Sequence, residues 1–583
     1  MNQSKFKSLL GLALITAVLS GCSGLKSMQK NADEISFTAS PNPLEARARE
    51  VKTDINGVFP EKYFKKKVTL EATPILTYAD GETSYKATTV QGEKVKANNH
   101  VIAYKKGGDF NYSDAVAYNK AMRESELFIH ITASKGKKSV DFTPIKVADG
   151  VLSTAELAMN NPKTIIGVQK EENTTGVYDA NIDSYQQIVP EEYSADIMYL
   201  KNQANVRVSE QKAEDIIGLA NYAKDVKGND RKALNSVKVS AYASPEGELN
   251  FNTKLSEKRK ESGTKVVDGI LKKSKIETSV FSDFTAEDWD GFKKLMEASN
   301  IQDKDLILRV LSMYTDPEVR ESKIRSLGEV FTEVQDEILP QLRRSKIIAN
   351  VDVTGRSDQE IINQFNNDPT KLSPAELIYG ASLMNTDVEK IGYYQALVDN
   401  YPNDWRGYNN IGAVYAKSGD YNKAKGYFET AEQKAPNEII VKNNLGACEV
   451  YSSNFNEAKV LLGAASGAGD AVNYNSAIIA IKEGDYQTAA KLLAGTNTVN
   501  EAVVKILNGN ADGALRILDK TDSKCWKVSY FKAVVSARMA KESAMYGFLK
   551  EAVAAHPEAK ELIATDVEFN QYKETAEFKA IVD

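Results

Sequence analysis

A spacing of 34 residues recurs in the second half of the chain and restricts the fold more than any other feature. Five landmark pairs keep their chemical character at this distance: Pro402 and Pro436, Gly412 and Gly446, Ala424 and Ala458, Phe428 and Leu462, and Ala431 and Ala465. A unit of this length cannot bury its apolar face alone, so neighbouring units must stack. Small residues let paired helices approach closely, and aromatic residues fill the groove beside them. The spacing predicts a helical solenoid over residues 371–583.

The stretch at 408–431, YNNIGAVYAKSGDYNKAKGYFETA, resembles the tetratricopeptide repeat almost in full. Its Gly-Asp-Tyr turn at 419–421 recurs at 484–486 and, more weakly, at 510–514, which predicts about five units with shortened later members. The resemblance implies a concave face that holds peptides or partner proteins. The candidate partner-binding residues on the first helices of successive units are Asn409, Asn410, Asn443 and Asn444. The alternative is that they are solvated helix positions.

The N-terminus reads MNQSKFKSLLGLALITAVLSGCSG and has the features of a secretion signal. Two lysines precede an apolar run at 8–19, which is too short to cross a bilayer as a mature helix. The run ends in Leu-Ser-Gly-Cys22, which resembles the bacterial lipobox. This resemblance implies a signal peptide at 1–21 and lipidation of Cys22. An ordinary signal peptide that contains a cysteine is the alternative.

Two further features predict where the anchored protein lies. Ser23, rather than aspartate, follows the lipobox cysteine, and by resemblance to known sorting rules this favours the outer membrane. The next residues lack the acidic cluster that Bacteroidetes-type surface lipoproteins usually carry, which favours a protein that faces the periplasm. Residues 22–48 are polar and without periodicity, so we expect a flexible tether there.

Composition excludes several classes of function. The net charge is −6 over 583 residues, which argues against a nucleic-acid partner. The three histidines lie far apart and no Cys-x-x-Cys occurs, so we expect no metal site and no cofactor. Beyond Cys22, the cysteines are Cys448 and Cys525. Buried free thiols and a disulfide between them both remain open.

The region at 49–150 shows the alternation of apolar and polar residues that is typical of β-strands. The pattern is clearest at 68–73 and at 127–133, and a turn after the second run leads into 139–143, which predicts a hairpin. We expect a small β-sandwich-like domain. Residues 151–194 predict a linker or a strand pair.

Residues 195–356 alternate strands and helices, which predicts an α/β sandwich. The strand at 236–243 is followed by a helix at 255–271, and 347–353 forms the last strand. A stretch at about 284–345 is helical by pattern and interrupts the unit.

The turn after the central strand carries a motif. Gly247 is followed after four residues by Asn252, then by Leu255-Ser256, then by Arg259. These spacings resemble the OmpA-like C-terminal domain, whose motif ends in Asn-x-x-Leu-Ser-x-x-Arg. That resemblance implies binding of the diaminopimelate of peptidoglycan, with Arg259 on a carboxylate. A guanidinium offers a planar fork of donors that matches a carboxylate.

One position departs from this motif. Ser244 stands where the family has an aspartate that binds the ammonium group, and Glu246 is the nearest candidate to replace it. The Ala-Ser-Pro-Glu-Gly form resembles a Bacteroidetes variant of the domain. The predicted peptidoglycan-binding residues are Arg259, Asn252, Glu246 and Ser244. In the alternative, Arg259 is a structural arginine that bonds the turn, and Asn252 braces the helix.

These patterns predict a multidomain, non-enzymatic outer-membrane lipoprotein that binds peptidoglycan through its α/β domain and a protein through its repeats. A scaffold or assembly factor for an envelope or secretion complex, without peptidoglycan binding, is the alternative. An enzyme is the third hypothesis, but the sequence lacks a nucleophile, paired carboxylates or a metal cluster in a suitable context.

Overall fold

The computed structural model describes residues 23–167, 185, 187–302, 304–521 and 524–583. The chain forms two compact units, one of residues 1–182 with 397–583 and one of residues 183–396. The predicted signal peptide and the lipidation at Cys22 lie outside the described residues.

The first unit begins with a β-rich region built from two sheets. Its elements are α1 (Ser23–Lys30), β1 (Ser36–Ser40), β2 (Leu44–Arg47), β3 (Glu50–Phe59), β4 (Thr69–Tyr78), β5 (Gly81–Ser84), β6 (Thr88–Gly92), β7 (His100–Ile102), β8 (Gly108–Ala117), β9 (Ser125–Lys135), β10 (Lys138–Asp141), β11 (Ile145–Asp149) and β12 (Val151–Leu152). In one sheet β3 pairs with β1, β2 and β8, and in the other β4 pairs with β5, β6 and β9. Strands β9 and β10 form the predicted hairpin. Alternate residues of β3, β4 and β9 are buried in one core between the sheets.

The segment expected to be a flexible tether is part of this core. Leu25 and Met28 lie three residues apart on one face of α1, and both are buried. Strand β1 pairs along its whole length with β3. Residues 23–48 are therefore folded, because each short element contributes apolar side chains that no periodicity test resolves over so few residues.

The second unit contains a four-stranded mixed sheet in the order β13-β16-β14-β15. Its elements up to the last strand are β13 (Ile188–Met198), α2 (Glu214–Gly228), β14 (Lys232–Tyr242), α3 (Leu249–Ser274), β15 (Ser279–Thr285), α4 (Trp289–Ala298), α5 (Lys304–Met313), α6 (Pro317–Arg325), α7 (Glu329–Glu333) and β16 (Arg344–Thr354). Helices α2 and α3 pack on one face of the sheet. The first strand of this unit, β13, begins at Ile188, seven residues before the predicted boundary at 195. The first half of this edge strand is exposed and lacks the apolar alternation of a buried strand.

Helices α4–α7 form the insertion between β15 and β16 and have a separate apolar core around Phe292, Met296 and Leu342. After the sheet, the second unit continues through α8 (Asp358–Asn367) and α9 (Pro374–Ser382), and α10 (Asp387–Asn400) spans the boundary between the units.

The helical array completes the first unit. Its helices are α11 (Trp405–Lys417), α12 (Tyr421–Lys434), α13 (Ile439–Tyr451), α14 (Phe455–Ala464), α15 (Asp470–Lys482), α16 (Tyr486–Leu492), α17 (Val499–Leu507), α18 (Ala511–Leu518), α19 (Trp526–Arg538), α20 (Glu542–Ala555), α21 (Ala559–Thr565) and α22 (Ala576–Val582). A Cβ atom on Gly412 would lie 2.7 Å from the ring of Phe428, and one on Gly446 would lie 2.9 Å from Leu462. Within each of these two repeats, the glycine landmark therefore packs against the landmark 16 residues later.

The β-rich region and the array are joined by specific contacts within this unit. The Arg47 guanidinium donates to the Gly484 carbonyl at 2.8 Å and lies over the ring of Tyr486. The Arg49 guanidinium donates to the Ser453 hydroxyl at 3.1 Å. The two regions therefore form one folded body.

Candidate functional site

The strongest candidate site is a groove on the first helices of the repeats, and a segment of the same chain lies in it. The segment runs from Met159 to Gly167 without regular secondary structure. Its N-terminal end contacts α17 and its C-terminal end contacts α11, so it runs opposite to the order of the repeats. We call it the groove segment.

Four asparagines hold the groove segment in the same way. In each, Oδ1 accepts from a backbone N–H and Nδ2 donates to the carbonyl of the same residue. The pairs are Asn410 with Gly167 (2.7 and 3.0 Å), Asn444 with Ile165 (2.7 and 2.7 Å), Asn475 with Lys163 (2.6 and 2.8 Å) and Asn500 with Met159 (2.7 and 2.9 Å). Alternate residues of an extended chain present the same backbone edge, so successive repeats bind residues 163, 165 and 167.

Two more asparagines link these contacts into a ladder. Asn409 donates to the Ile165 carbonyl at 3.0 Å, and Asn443 donates to the Lys163 carbonyl at 3.2 Å. Between neighbouring repeats, Asn444 donates to Oδ1 of Asn409 at 2.8 Å. These side chains are buried and hydrogen-bonded, as buried amides must be. The structure therefore brings together all four asparagines that the sequence singled out, on the backbone of the same chain.

Asn475 and Asn500 were not predicted from the sequence, because the shortened repeats break the 34-residue spacing. A local pattern finds them. Each of the four two-point asparagines lies two residues before a small residue on the first helix of its repeat: Gly412, Gly446, Ala477 and Ala502.

Aromatic and basic side chains complete the groove. Tyr421 donates to the Pro162 carbonyl at 2.9 Å, and Tyr474 donates to Oδ1 of Asn161 at 2.8 Å. Burial raises the pKa of both phenols to about 12, so they remain donors at neutral pH. Lys482 donates to the Glu156 carbonyl at 3.1 Å, just before the groove segment. Burial lowers the pKa of Lys482, and its ion pair with Glu156 opposes that shift.

Few side chains of the groove segment are buried in the groove. Pro162, Ile165 and Gly167 are buried, whereas Lys163 and Ile166 are exposed. Ile165 packs against Ile440 and Ala468. A Cβ atom at position 167 would lie 2.7 Å from the Trp405 ring. The geometry therefore selects an extended backbone, an aliphatic residue at 165 and glycine two residues later.

The predicted peptidoglycan-binding residues lie together at the carboxyl end of β14. Arg259 is 1% exposed, and its guanidinium donates to the carbonyls of Gln203 (2.9 Å), Tyr242 (2.8 Å) and Leu200 (3.2 Å). It also lies over the ring of Tyr199 at 4.9 Å. Burial lowers the pKa of Arg259 to about 10. Arg259 therefore braces the loop after β13 against the end of β14.

The other three residues make hydrogen bonds within the turn after β14 or ion pairs with neighbouring cations. Asn252 donates to the Gly247 carbonyl at 3.0 Å, and Ser244 donates to the Glu246 carboxylate at 2.8 Å. Glu246 pairs with Arg343 at 2.9 Å and with Lys201 at 3.1 Å. Burial opposes ionisation of Glu246, but Ser244 and the two cations together hold its pKa below the ordinary value. Binding of peptidoglycan by this cluster stays a prediction.

Other candidate chemistry is limited within the described part of the chain. Residues 23–167, 185, 187–302, 304–521 and 524–583 contain no group of three or more histidine, cysteine, aspartate or glutamate side chains placed to hold a metal ion. In the same ranges, no helix has the length and apolar character needed to cross a membrane. Cys448 is buried, Cys525 is half-buried and both are free thiols. Burial raises the pKa of the Cys448 thiol to about 12.

Comparison with known proteins identifies one repeat. Residues 405–438 match the family model of the tetratricopeptide repeat. Among solved structures, a tetratricopeptide repeat protein from Parabacteroides merdae is 13% identical over 36% of this chain and 90% of its own, with a TM-score of 0.28. PilW, a widely conserved type IV pilus biogenesis factor, is 16% identical over 38% of this chain and 100% of its own, with a TM-score of 0.27.

A third solved structure, yeast Tom70, is 15% identical over 64% of this chain and 93% of its own, with a TM-score of 0.24. No curated protein matches this chain.

Proposed function

We propose that this chain is a non-enzymatic scaffold of the cell envelope whose helical array binds a partner protein. The observation that supports this most is the asparagine ladder, which grips an extended polypeptide through bonds to N–H and carbonyl groups. Every polypeptide carries those groups, so the groove is suited to main chain in general. The tetratricopeptide repeat at 405–438 supports the same function, because such arrays present surfaces for protein partners.

Site-specific photo-crosslinking in the native envelope tests the scaffold function. A photoreactive residue replaces Tyr451, whose carbonyl accepts from Asn160, or Val460, which is 67% exposed on α14. The control position is Val101, which is 50% exposed in the β-rich region. We expect a discrete protein adduct from an array position and none from Val101. If neither array position yields an adduct, the scaffold proposal fails.

The lipobox and Ser23 support the finer proposal that the scaffold is anchored in the outer membrane by lipid at Cys22 and faces the periplasm. Mass measurement of the mature N-terminus tests the anchor. We expect an acylated cysteine in the wild type and loss of membrane fractionation in Cys22→Ala. An unmodified mature N-terminus in the wild type contradicts the anchor and leaves the array function intact.

Peptidoglycan binding is the second candidate function, because four motif residues lie together at the end of β14. The geometry favours the scaffold, since the donors of Arg259 bond backbone carbonyls and Glu246 already has two cations. Co-sedimentation of the full mature chain with purified peptidoglycan distinguishes the two. We expect the wild type to stay in solution. If the wild type sediments with peptidoglycan and Glu246→Gln does not, peptidoglycan binding through this cluster is supported instead. Ser244→Asp, which restores the family aspartate, is the comparison variant.

A further inference from the structure

We propose that the groove segment is a built-in, displaceable ligand, which closes the array to partner peptides until it leaves. The inference rests on the proposed function and adds how access to that site is controlled. The partner it fits is an extended polypeptide segment with an aliphatic residue, any residue and then glycine. These are the requirements that Ile165, Ile166 and Gly167 meet in the groove.

A partner segment that replaces the groove segment can make the same backbone hydrogen bonds to the asparagines. The two-point bonds from the asparagines end on the backbone atoms of Met159, Lys163, Ile165 and Gly167. An incoming segment supplies the same N–H and carbonyl groups, so the buried amides of the ladder regain their partners. Unpaired, each buried amide would cost about 1–3 kcal/mol, so the occupied groove is more stable than the emptied one.

The polar side chains of the segment add two hydrogen bonds: Asn160 donates to the Tyr451 carbonyl at 3.0 Å, and Asn161 accepts from Tyr474 at 2.8 Å. Asn160, Asn161 and Lys163 are exposed, and Ile166 is 37% exposed. The Lys163 ammonium lies 4.5 Å from the centre of the Tyr474 ring, which favours a basic residue at that position without demanding one. The apolar anchor is Ile165, which packs with Ile440 and Ala468, and Pro162 is also buried.

The covalent link sets how strongly the groove is closed. A tethered ligand acts at an effective concentration on the order of millimolar. A free peptide of the same sequence with an intrinsic dissociation constant of about 10 μM then binds the wild type about 100-fold more weakly than it binds an emptied groove. A partner overcomes this difference with a second contact elsewhere on the scaffold.

A matched pair of proline variants tests the inference in the full mature chain. Lys163→Pro with Ile165→Pro removes the two N–H groups that donate to Asn475 and Asn444. The control is Thr164→Pro with Ile166→Pro, whose N–H groups make no hydrogen bond to the described residues. The probe is a fluorescent, end-capped peptide of residues 157–167, and binding is followed by anisotropy.

We expect the 163/165 variant to bind the probe about 100-fold more tightly than the wild type and the control variant. Equal binding by all three proteins overturns the inference, because the segment then does not close the groove. No binding by a folded 163/165 variant also overturns it, because the groove then accepts only the tethered segment. Neither result decides the scaffold function, which the crosslinking experiment tests independently.

If the 163/165 variant does not fold, hydrogen exchange of the wild type tests whether the groove segment leaves the groove while the array stays folded. We expect the N–H groups of Lys163, Ile165 and Gly167 to exchange faster than those in the core of α13 and α15, through local opening of the segment. Exchange of the segment only at the rate of these helices overturns the inference, because the segment then leaves only when the array unfolds.

Discussion

The side-chain amide of Asn444 binds both backbone polar groups of Ile165, with Oδ1 accepting from its N–H at 2.7 Å and Nδ2 donating to its carbonyl at 2.7 Å. The two residues are 279 positions apart in the chain. The Asn444 amide thus makes the two backbone hydrogen bonds to Ile165 that a neighbouring β-strand would otherwise make. Because the groups on both sides are buried, the stability of the array depends on the segment.

Asn444→Ala should destabilise the first unit by about 2–4 kcal/mol, because it leaves the N–H and carbonyl of Ile165 without their strongest partner. Urea unfolding of the mature chain, followed by a probe in the array, measures the change. Asn473→Ala is the control, because Asn473 is an exposed asparagine on a first helix. Similar midpoints for the two variants would show that the Asn444 contact adds nothing.

Gly167→Leu should lower the thermal stability of the first unit by about 1–3 kcal/mol, because its Cβ would meet the Trp405 ring at 2.7 Å. Gly426→Ala is the opposite case. Gly426 is in the middle of α12 with open space around it, so the alanine should stabilise by about 0.5–1 kcal/mol. Differential scanning calorimetry compares both with the wild type. An unchanged transition in Gly167→Leu would mean that the groove is wider than described.

Arg259→Ala should destabilise the second unit by about 3–5 kcal/mol, because three backbone carbonyls lose a charged donor and a buried cavity remains. Lys258→Ala, at the exposed neighbouring position, should change stability by less than about 0.5 kcal/mol. Circular dichroism during urea unfolding reports both. A fully stable Arg259→Ala protein would favour a binding role over a structural one.

Glu246→Gln should weaken the second unit at neutral pH by roughly 1–2 kcal/mol. Since Ser244, Arg343 and Lys201 hold the folded pKa of Glu246 below its ordinary value of 4.5, the unfolded chain binds more protons near and below that pH. The contribution is therefore complete above pH 4.5 and is lost as pH falls through the folded pKa. Unfolding free energies of wild type and variant, measured from pH 7 to pH 3, should converge at the acidic end. A constant difference would contradict this.

Alkylation with iodoacetamide at pH 8 should label Cys525 and leave Cys448 unmodified in the folded protein. Cys448 is buried, and the raised pKa leaves almost no thiolate at that pH, whereas Cys525 is half-buried. Peptide mass mapping gives the extent at each site, and denatured protein is the control for full labelling. Resistance of both residues to labelling in the denatured, unreduced protein would instead support the disulfide alternative.

Much of the array was predictable from sequence, because each repeat buries the same positions in the same local way. The landmarks Gly412 and Phe428 are 16 residues apart and contact each other within one helix pair, so a short stretch of sequence is enough to predict this contact. The alternation of β4 and β9 was equally legible. The folding of residues 23–48 was not, because β1 has five residues and β2 has four, which is too few to show a clear period.

Helical periodicity and the 34-residue spacing are local properties, so the sequence alone places Asn409, Asn410, Asn443 and Asn444 on successive first helices. Asn475 and Asn500 do not follow that spacing. The groups that these asparagines bind become apparent in the folded chain. Residues 159–167 carry no helical or strand pattern of their own, and their hydrogen bonds are made by side chains 243 to 341 positions away. Likewise, the motif spacing placed Arg259 behind its turn, but the burial of its guanidinium depends on Gln203 and Leu200. Backbone groups look alike in every sequence, so a site built on them appears only when the chain has folded.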